Sequence, residues 1–202
     1  RLTGVTQGIE ITTIADIPSR GTGLGSSSAL TVGLRNALHT YAGRTPDAAQ
    51  LAEEACRIEI DILGQPIGRQ DQYAAAFGGS NQISFLADDT VIVTPIDLDA
   101  STLESNYFLV YTGMTRQASG ILAKQSASSD EKRSELDALR QQAIEVRNAL
   151  ETGNHNAVGQ LLDASWQIKR GLVDGITGAT LDDLYTSIIG MGATGGKLMG
   201  AG

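Results

Sequence analysis

Cysteine occurs once in these 202 residues, at Cys56, so the chain can close no internal disulfide and build no thiolate metal cage. That scarcity fits a reducing compartment, and the cytoplasm is the expected location. Positive charge is also sparse: 15 lysines and arginines against 23 acidic residues leave a formal charge of -8. No basic stripe is available for nucleic acid and no polybasic segment for a membrane surface, so an anionic ligand has to be held locally. No apolar run approaches the ~20 residues that span a bilayer, and Arg1 to Glu10 lacks the apolar core of a signal peptide. A starting methionine is missing too. The chain opens close to a strand and stops at Gly200-Ala201-Gly202, inside a glycine-rich loop, which suggests a fragment cut at both ends.

What is present suits a globular protein, with 41% hydrophobic and 19% charged residues, enough for one substantial domain or two small ones. Ile9, Ile11, Thr13, Ala15 and Ile17 alternate with Glu10, Thr12, Ile14 and Asp16, close to the period of a half-buried strand that Pro18 ends. A glycine loop follows. Leu30, Leu34, Ala37, Leu38 and Tyr41 then recur at helical spacing up to Gly43. A second helix is expected from Asp47 to Leu63, with Leu51, Ala52, Ala55, Ile58 and Ile62 on one face. An alanine-rich stretch precedes Gly78-Gly79, and Gln82 to Leu86 and Val91 to Ile96 flank Asp88-Asp89 as a hairpin. Asn106 to Thr112 predicts one more strand. Beyond it the pattern is helical over Ile121–Ser126, Glu131–Leu150, Val158–Ile168 and Leu181–Ile189. Strands giving way to helices near residue 97 indicate an α+β fold rather than repeating βαβ units.

The loop Ser19-Arg20-Gly21-Thr22-Gly23-Leu24-Gly25-Ser26-Ser27-Ser28 carries the most chemistry. Glycines at alternate positions let the backbone approach a ligand, and the serines stand where a helix begins, so amides and hydroxyls converge on a spot suited to phosphate. The pattern is neither the Walker loop nor the Rossmann fingerprint. By itself it also fits a flexible turn with a serine cap. Glu59 lies at the border of the apolar stripe of its helix, either paired at the surface with an arginine such as Arg57 or turned inward toward a partner. Asp71 follows 12 positions later in a Gly- and Gln-containing loop, as a turn residue or as a base. Phosphoryl transfer requires a phosphate cradle, a divalent ion and an acceptor for the hydroxyl proton, and these residues cover those needs together. His39 and His155 belong to no such cluster.

Pro18 to Ala29, between strand and helix, resembles the second signature motif of the GHMP kinases, the family of galactokinase, homoserine kinase and mevalonate kinase. The resemblance implies ATP and Mg2+ as cofactors. It assigns Gly21, Gly23, Leu24, Gly25, Ser26, Ser27 and Ser28 to the nucleotide phosphates, Ser28 and Glu59 to magnesium, with Ser27 a second candidate, and Asp71 to the catalytic base. Gly192 to Gly202 resembles the third motif, a loop beside the phosphates in which Gly195 and Gly196 contribute. With Gln70 to Gly79 and Thr112 to Ser119, the chain looks most like the branch acting on D-glycero-D-manno-heptose 7-phosphate, in which Arg116 and Ser119 would contact the sugar phosphate, while Arg116 by itself fits a surface residue at a helix start equally well.

The resemblance further implies a two-domain GHMP fold: an incomplete ribosomal S5-like ATP-binding domain over residues 1–96, and an incomplete helical, ferredoxin-like domain over 97–202. ATP and a sugar or sugar-phosphate substrate would lie between them, with no nucleic-acid or membrane partner and the oligomeric state open. The first motif is absent. A non-catalytic sugar or nucleotide sensor and an ATP-dependent decarboxylase occur in the same superfamily and are the alternatives.

Overall fold

The computed structural model describes residues 4–5, 7–14, 23–113, 131–172 and 175–200. The chain divides into two compact units, Arg1–Val93 and Thr94–Gly202.

In the first unit, helix α1 (Ser26–Tyr41) starts directly after Gly25 with no side-chain cap. Helix α2 (Ala48–Cys56) starts where its cap predicts, with the Asp47 carboxylate accepting from the Gln50 amide at 2.7 Å. The rod does not continue to Leu63 as an α-helix. Over Arg57–Ile62 it becomes π-helical, with the Leu63 amide donating to the Ile58 carbonyl at 2.9 Å. The wider turn rotates the side chains. Ile62, expected on the buried face, is 58% exposed, whereas Glu59 is 1% exposed.

Helix α3 (Gln70–Phe77) is the alanine-rich stretch. Strands β1 (Asn81–Phe85) and β2 (Val91–Pro95) pair as the expected hairpin and form a two-stranded sheet. Its turn is stabilised by Asp88, whose carboxylate accepts from the Thr90 amide at 3.0 Å. The core of this unit joins Val32, Leu51 and Ala55 to a neighbouring cluster of Ala52, Cys56 and Tyr73, against which Ile83, Val91 and Val93 of the hairpin pack. Burial pushes the Cys56 thiol up to about 11, which keeps it protonated and unreactive at neutral pH.

The buried line of α1 is Ser28, Val32, Arg35 and His39, while Leu30 and Tyr41 are exposed. The reason is Glu54 on α2, whose Oε2 is bonded by Arg35 and lies 2.8 Å from His39 Nε2. Burial pushes the Glu54 carboxyl up, but the hydrogen bonds from His39, Gln50 and Arg35 outweigh it and hold the group at about 2. Arg35 and His39 of α1 therefore face inward, where α2 supplies a carboxylate to receive them.

The second unit is helical: α4 (Ala100–Asn106), α5 (Arg133–Glu151), α6 (His155–Arg170) and α7 (Ala179–Gly190). Trp166, Leu172 and Ile176 form its core, with Leu136, Leu139, Tyr185 and Leu198 against them. The last three helices lie where helical spacing predicts, and the expected helix over 121–126 falls outside the described residues.

Two expected strands are not observed. Residues 107–112 pair with no strand among the described residues, and Leu109 is 77% exposed. Residues 9–14 are likewise unpaired, and Ile14 is 91% exposed; 15–17 lie outside the description. Alternation fixes which side chains share a face, but a strand exists only where a second edge supplies hydrogen bonds.

Candidate active site

The site in the first unit is built around Glu59. The π-helical turn carries its carboxylate inward, toward the first turn of α1. Ser27 Oγ donates to Glu59 Oε1 at 2.5 Å, Ser28 Oγ donates to Oε2 at 2.7 Å, and Gln72 Nε2 of α3 donates to Oε2 at 2.6 Å. Ser28, Glu59 and Gln72 are all buried. No lysine or arginine among the described residues forms an ion pair with Glu59. The surface pairing with Arg57 is thus not what is found.

A buried carboxylate held only by neutral donors remains incompletely compensated, since burying a charge costs several kcal/mol unless it is paired. A divalent cation beside it would complete the compensation. Ser Oγ and a carboxylate are hard oxygen donors suited to magnesium, which commonly takes one or two protein carboxylates and completes its shell with phosphates and water. Among the described residues there is no group of three or more His, Cys, Asp or Glu that could hold a metal by itself. A cation here would therefore need ligands from a bound nucleotide.

Asp71 opens α3 at the surface, with Gln70 Nε2 donating to its Oδ1 at 3.2 Å. Its carboxyl group lies against the glycine loop: a Cβ on Gly25 would stand 3.3 Å from the carboxyl carbon and from Oδ2. Gly25 has φ 66° and Gly23 φ 68°, a left-handed backbone that side chains rarely adopt. Leu24 is exposed and Ser26 half-buried beside them. The fold thus brings Gly23 to Ser28, Glu59 and Asp71 together. Gly21, Arg116 and Ser119 lie outside the described residues.

Gly195 and Gly196 belong to the second unit. A Cβ on Gly195 would fall 1.8 Å from the Gly159 carbonyl oxygen, and one on Gly159 would fall 1.9 Å from Thr194 Oγ1, so the loop lies directly on α6 and both positions demand glycine. Lys169 Nζ donates to the Leu198 carbonyl at 3.2 Å and also to that of Gly200. Burial, reinforced by nearby Lys197, lowers the Lys169 ammonium to about 8.

An open groove of about 630 Å³ lined by Cys56, Arg57, Arg69, Tyr73 and Asp89 contains none of the site carboxylates. Gln72 has no sequence-derived role, although a glutamine beside Tyr73 on the packed face of α3 is a polar residue in need of a partner. Its Oε1 is buried with no hydrogen-bond partner. Such an orphan costs about 1–3 kcal/mol.

Known proteins resemble this chain along most of its length. Residues 1–79 match the GHMP kinases N terminal domain. The D-glycero-alpha-D-manno-heptose 7-phosphate kinase of Campylobacter jejuni is 37% identical over 195 residues, covering 94% of this chain and 57% of that protein. The galactokinase of Pyrococcus furiosus is 27% identical, covering 93% of this chain and 60% of its own length. The chain thus spans little more than half the length of these curated relatives. A crystal structure of a D-glycero-D-manno-heptose 1-phosphate kinase from Bacteroides thetaiotaomicron superposes with a TM-score of 0.67 at 30% identity, over 93% of this chain and 53% of that one. Mevalonate kinase of L. major, at 19% identity and a TM-score of 0.63 over 88% of this chain and 54% of its own, shares the fold. Residues 1–79 thus match the GHMP kinases N terminal domain, and over nearly its whole length the chain is similar to kinases of that family.

Proposed function

We propose that the protein transfers the γ-phosphoryl group of ATP to a hydroxyl of a sugar or sugar phosphate, with D-glycero-D-manno-heptose 7-phosphate the favoured acceptor. The observation that carries this reading is the convergence of Ser27 and Ser28 on buried Glu59, with Asp71 against Gly25. The preference for the heptose is supported by the 37% identity to the Campylobacter jejuni enzyme. The two units would be the family's N-terminal and C-terminal domains, and the low cysteine content suits a cytoplasmic enzyme.

The amides and hydroxyls of the loop from Gly21 to Ser28 hold the nucleotide phosphates at the start of α1, where the helix dipole favours negative charge. Gly195 and Gly196 form a second phosphate loop. Ser28 and Glu59 would hold magnesium, which neutralises phosphate charge that builds up during transfer. Asp71 accepts the proton leaving the substrate hydroxyl, and its Oδ2 lies nearest the loop. Arg116 and Ser119 contact the sugar phosphate.

The test is ADP release by the full-length protein across a panel of free sugars and sugar phosphates with MgATP. Heptose 7-phosphate should give the highest kcat/KM. Preference for a free hexose would overturn the acceptor assignment, and no turnover with any member would overturn the kinase reading.

A further inference from the structure

We propose that Gln72 is the positioning residue of the cation site: its side-chain amide holds the Glu59 carboxylate toward the start of α1, so divalent-cation affinity depends on a group that never touches the ion. The inference rests on Ser28 and Glu59 being the cation ligands.

The geometry carries it in three steps. Gln72 Nε2 donates to the same Glu59 oxygen, Oε2, that accepts from Ser28. The Gln72 side chain is fully enclosed, and the next residue, Tyr73, packs in the core with Ala52 and Cys56, so α3 fixes where the amide stands. The amide is also committed to one orientation. A half-turn would set its oxygen against the carboxylate, so the hydrogen-bond network assigns Nε2 to Glu59 although this leaves Oε1 buried without a hydrogen-bond partner.

The three donors to Glu59 are not equivalent once a ligand arrives. Ser27 and Ser28 stand at the phosphate loop, and their hydroxyls are the groups a cation and phosphates would engage. Gln72 lies behind the carboxylate on another helix, and its bond is the one that persists while the serines are redirected. Outer partners that orient a ligating carboxylate in this way typically change metal affinity by 10–100-fold when removed.

The experiment uses the full-length protein and measures Mn2+ binding from the loss of the free-ion EPR signal, in the presence of a non-hydrolysable ATP analogue. Analogue binding in EDTA is measured alongside. Gln72→Met keeps the length of the side chain and removes the donor. It should weaken Mn2+ binding by about tenfold or more, while metal-free nucleotide affinity stays within about twofold. In the Glu59→Gln background the same substitution should cause no further loss, because Gln72 acts only through that carboxylate. Should Gln72→Met not fold, Gln72→Asn withdraws the amide by one methylene and is read identically. Wild-type Mn2+ affinity in the Gln72 variant, with affinity lost in Glu59→Gln, overturns the proposal and leaves the cation site standing. An equal loss in both backgrounds also overturns it. Undiminished affinity in Glu59→Gln itself would refute the underlying ligand assignment.

Discussion

Replacing Gly25 by alanine tests the loop and the proposed base, Asp71, together. The new methyl group meets two obstacles. The residue sits at φ 66°, in a left-handed conformation that costs an L-residue about 1–2 kcal/mol. Its Cβ would also stand 3.3 Å from the Asp71 carboxyl carbon and Oδ2, closer than ordinary van der Waals contact. Asp71 is exposed and can yield by a few tenths of an ångström, so the backbone cost dominates stability and the displacement falls on the proposed base. At about 2–4 °C per kcal/mol for a protein of about 150–250 residues, and less for a longer one, Tm should drop by at most about 8 °C. A catalytic group misplaced by 1 Å costs about a hundredfold, so a shift of a fraction of that should lower turnover by about tenfold. Gly33→Ala is the control. It lies within α1 with nothing within 4 Å of its Cβ position and no positive φ, and should gain about 0.5–1 kcal/mol with turnover unchanged. Calorimetry and ADP-release kinetics on the full-length protein measure both. Tm shifts of the same sign in the two variants, or turnover of Gly25→Ala within twofold of wild type, would refute the reasoning.

Asp71→Asn keeps shape and hydrogen bonding but cannot accept a proton, so turnover should fall by about 10² to 10⁴-fold while ATP affinity changes by less than about tenfold. Near-normal turnover under chemistry-limited conditions would remove Asp71 from the mechanism. Glu54 is depressed to about 2, so its stabilising contribution is complete above the unfolded carboxyl value near 4.5 and is lost as pH falls toward 2. The Tm gap between wild type and Glu54→Gln should accordingly be widest at neutral pH and close in acid; a gap independent of pH between 7 and 2.5 would contradict the ion-pair assignment. The 202 residues alone, exposing Ile14, Leu109 and Met191, should self-associate, and light scattering reporting a monodisperse monomer would count against that.

Short-range signals were legible in the chain and survived folding. Asp47 marked the start of α2, Asp88-Asp89 marked the hairpin turn, and helical spacing located α5, α6 and α7. Caps and turns act within three or four residues, so local order suffices for them. The glycine loop and the spacing from Glu59 to Asp71 likewise carried the resemblance to the GHMP kinases, because both lie within continuous stretches of the chain. The face of α1 that is buried was decided by Glu54, 19 residues beyond Arg35. Neither strand expected at 9–17 or 106–112 could be judged without its partner edge. The inward turn of Glu59 depends on a π-helical widening that no residue between Arg57 and Ile62 announces. Gln72 became visible as a partner only when α3 brought it 2.6 Å from a carboxylate 13 residues away. Hydrogen bonds to a buried charge are satisfied across elements, and only packing determines which elements meet.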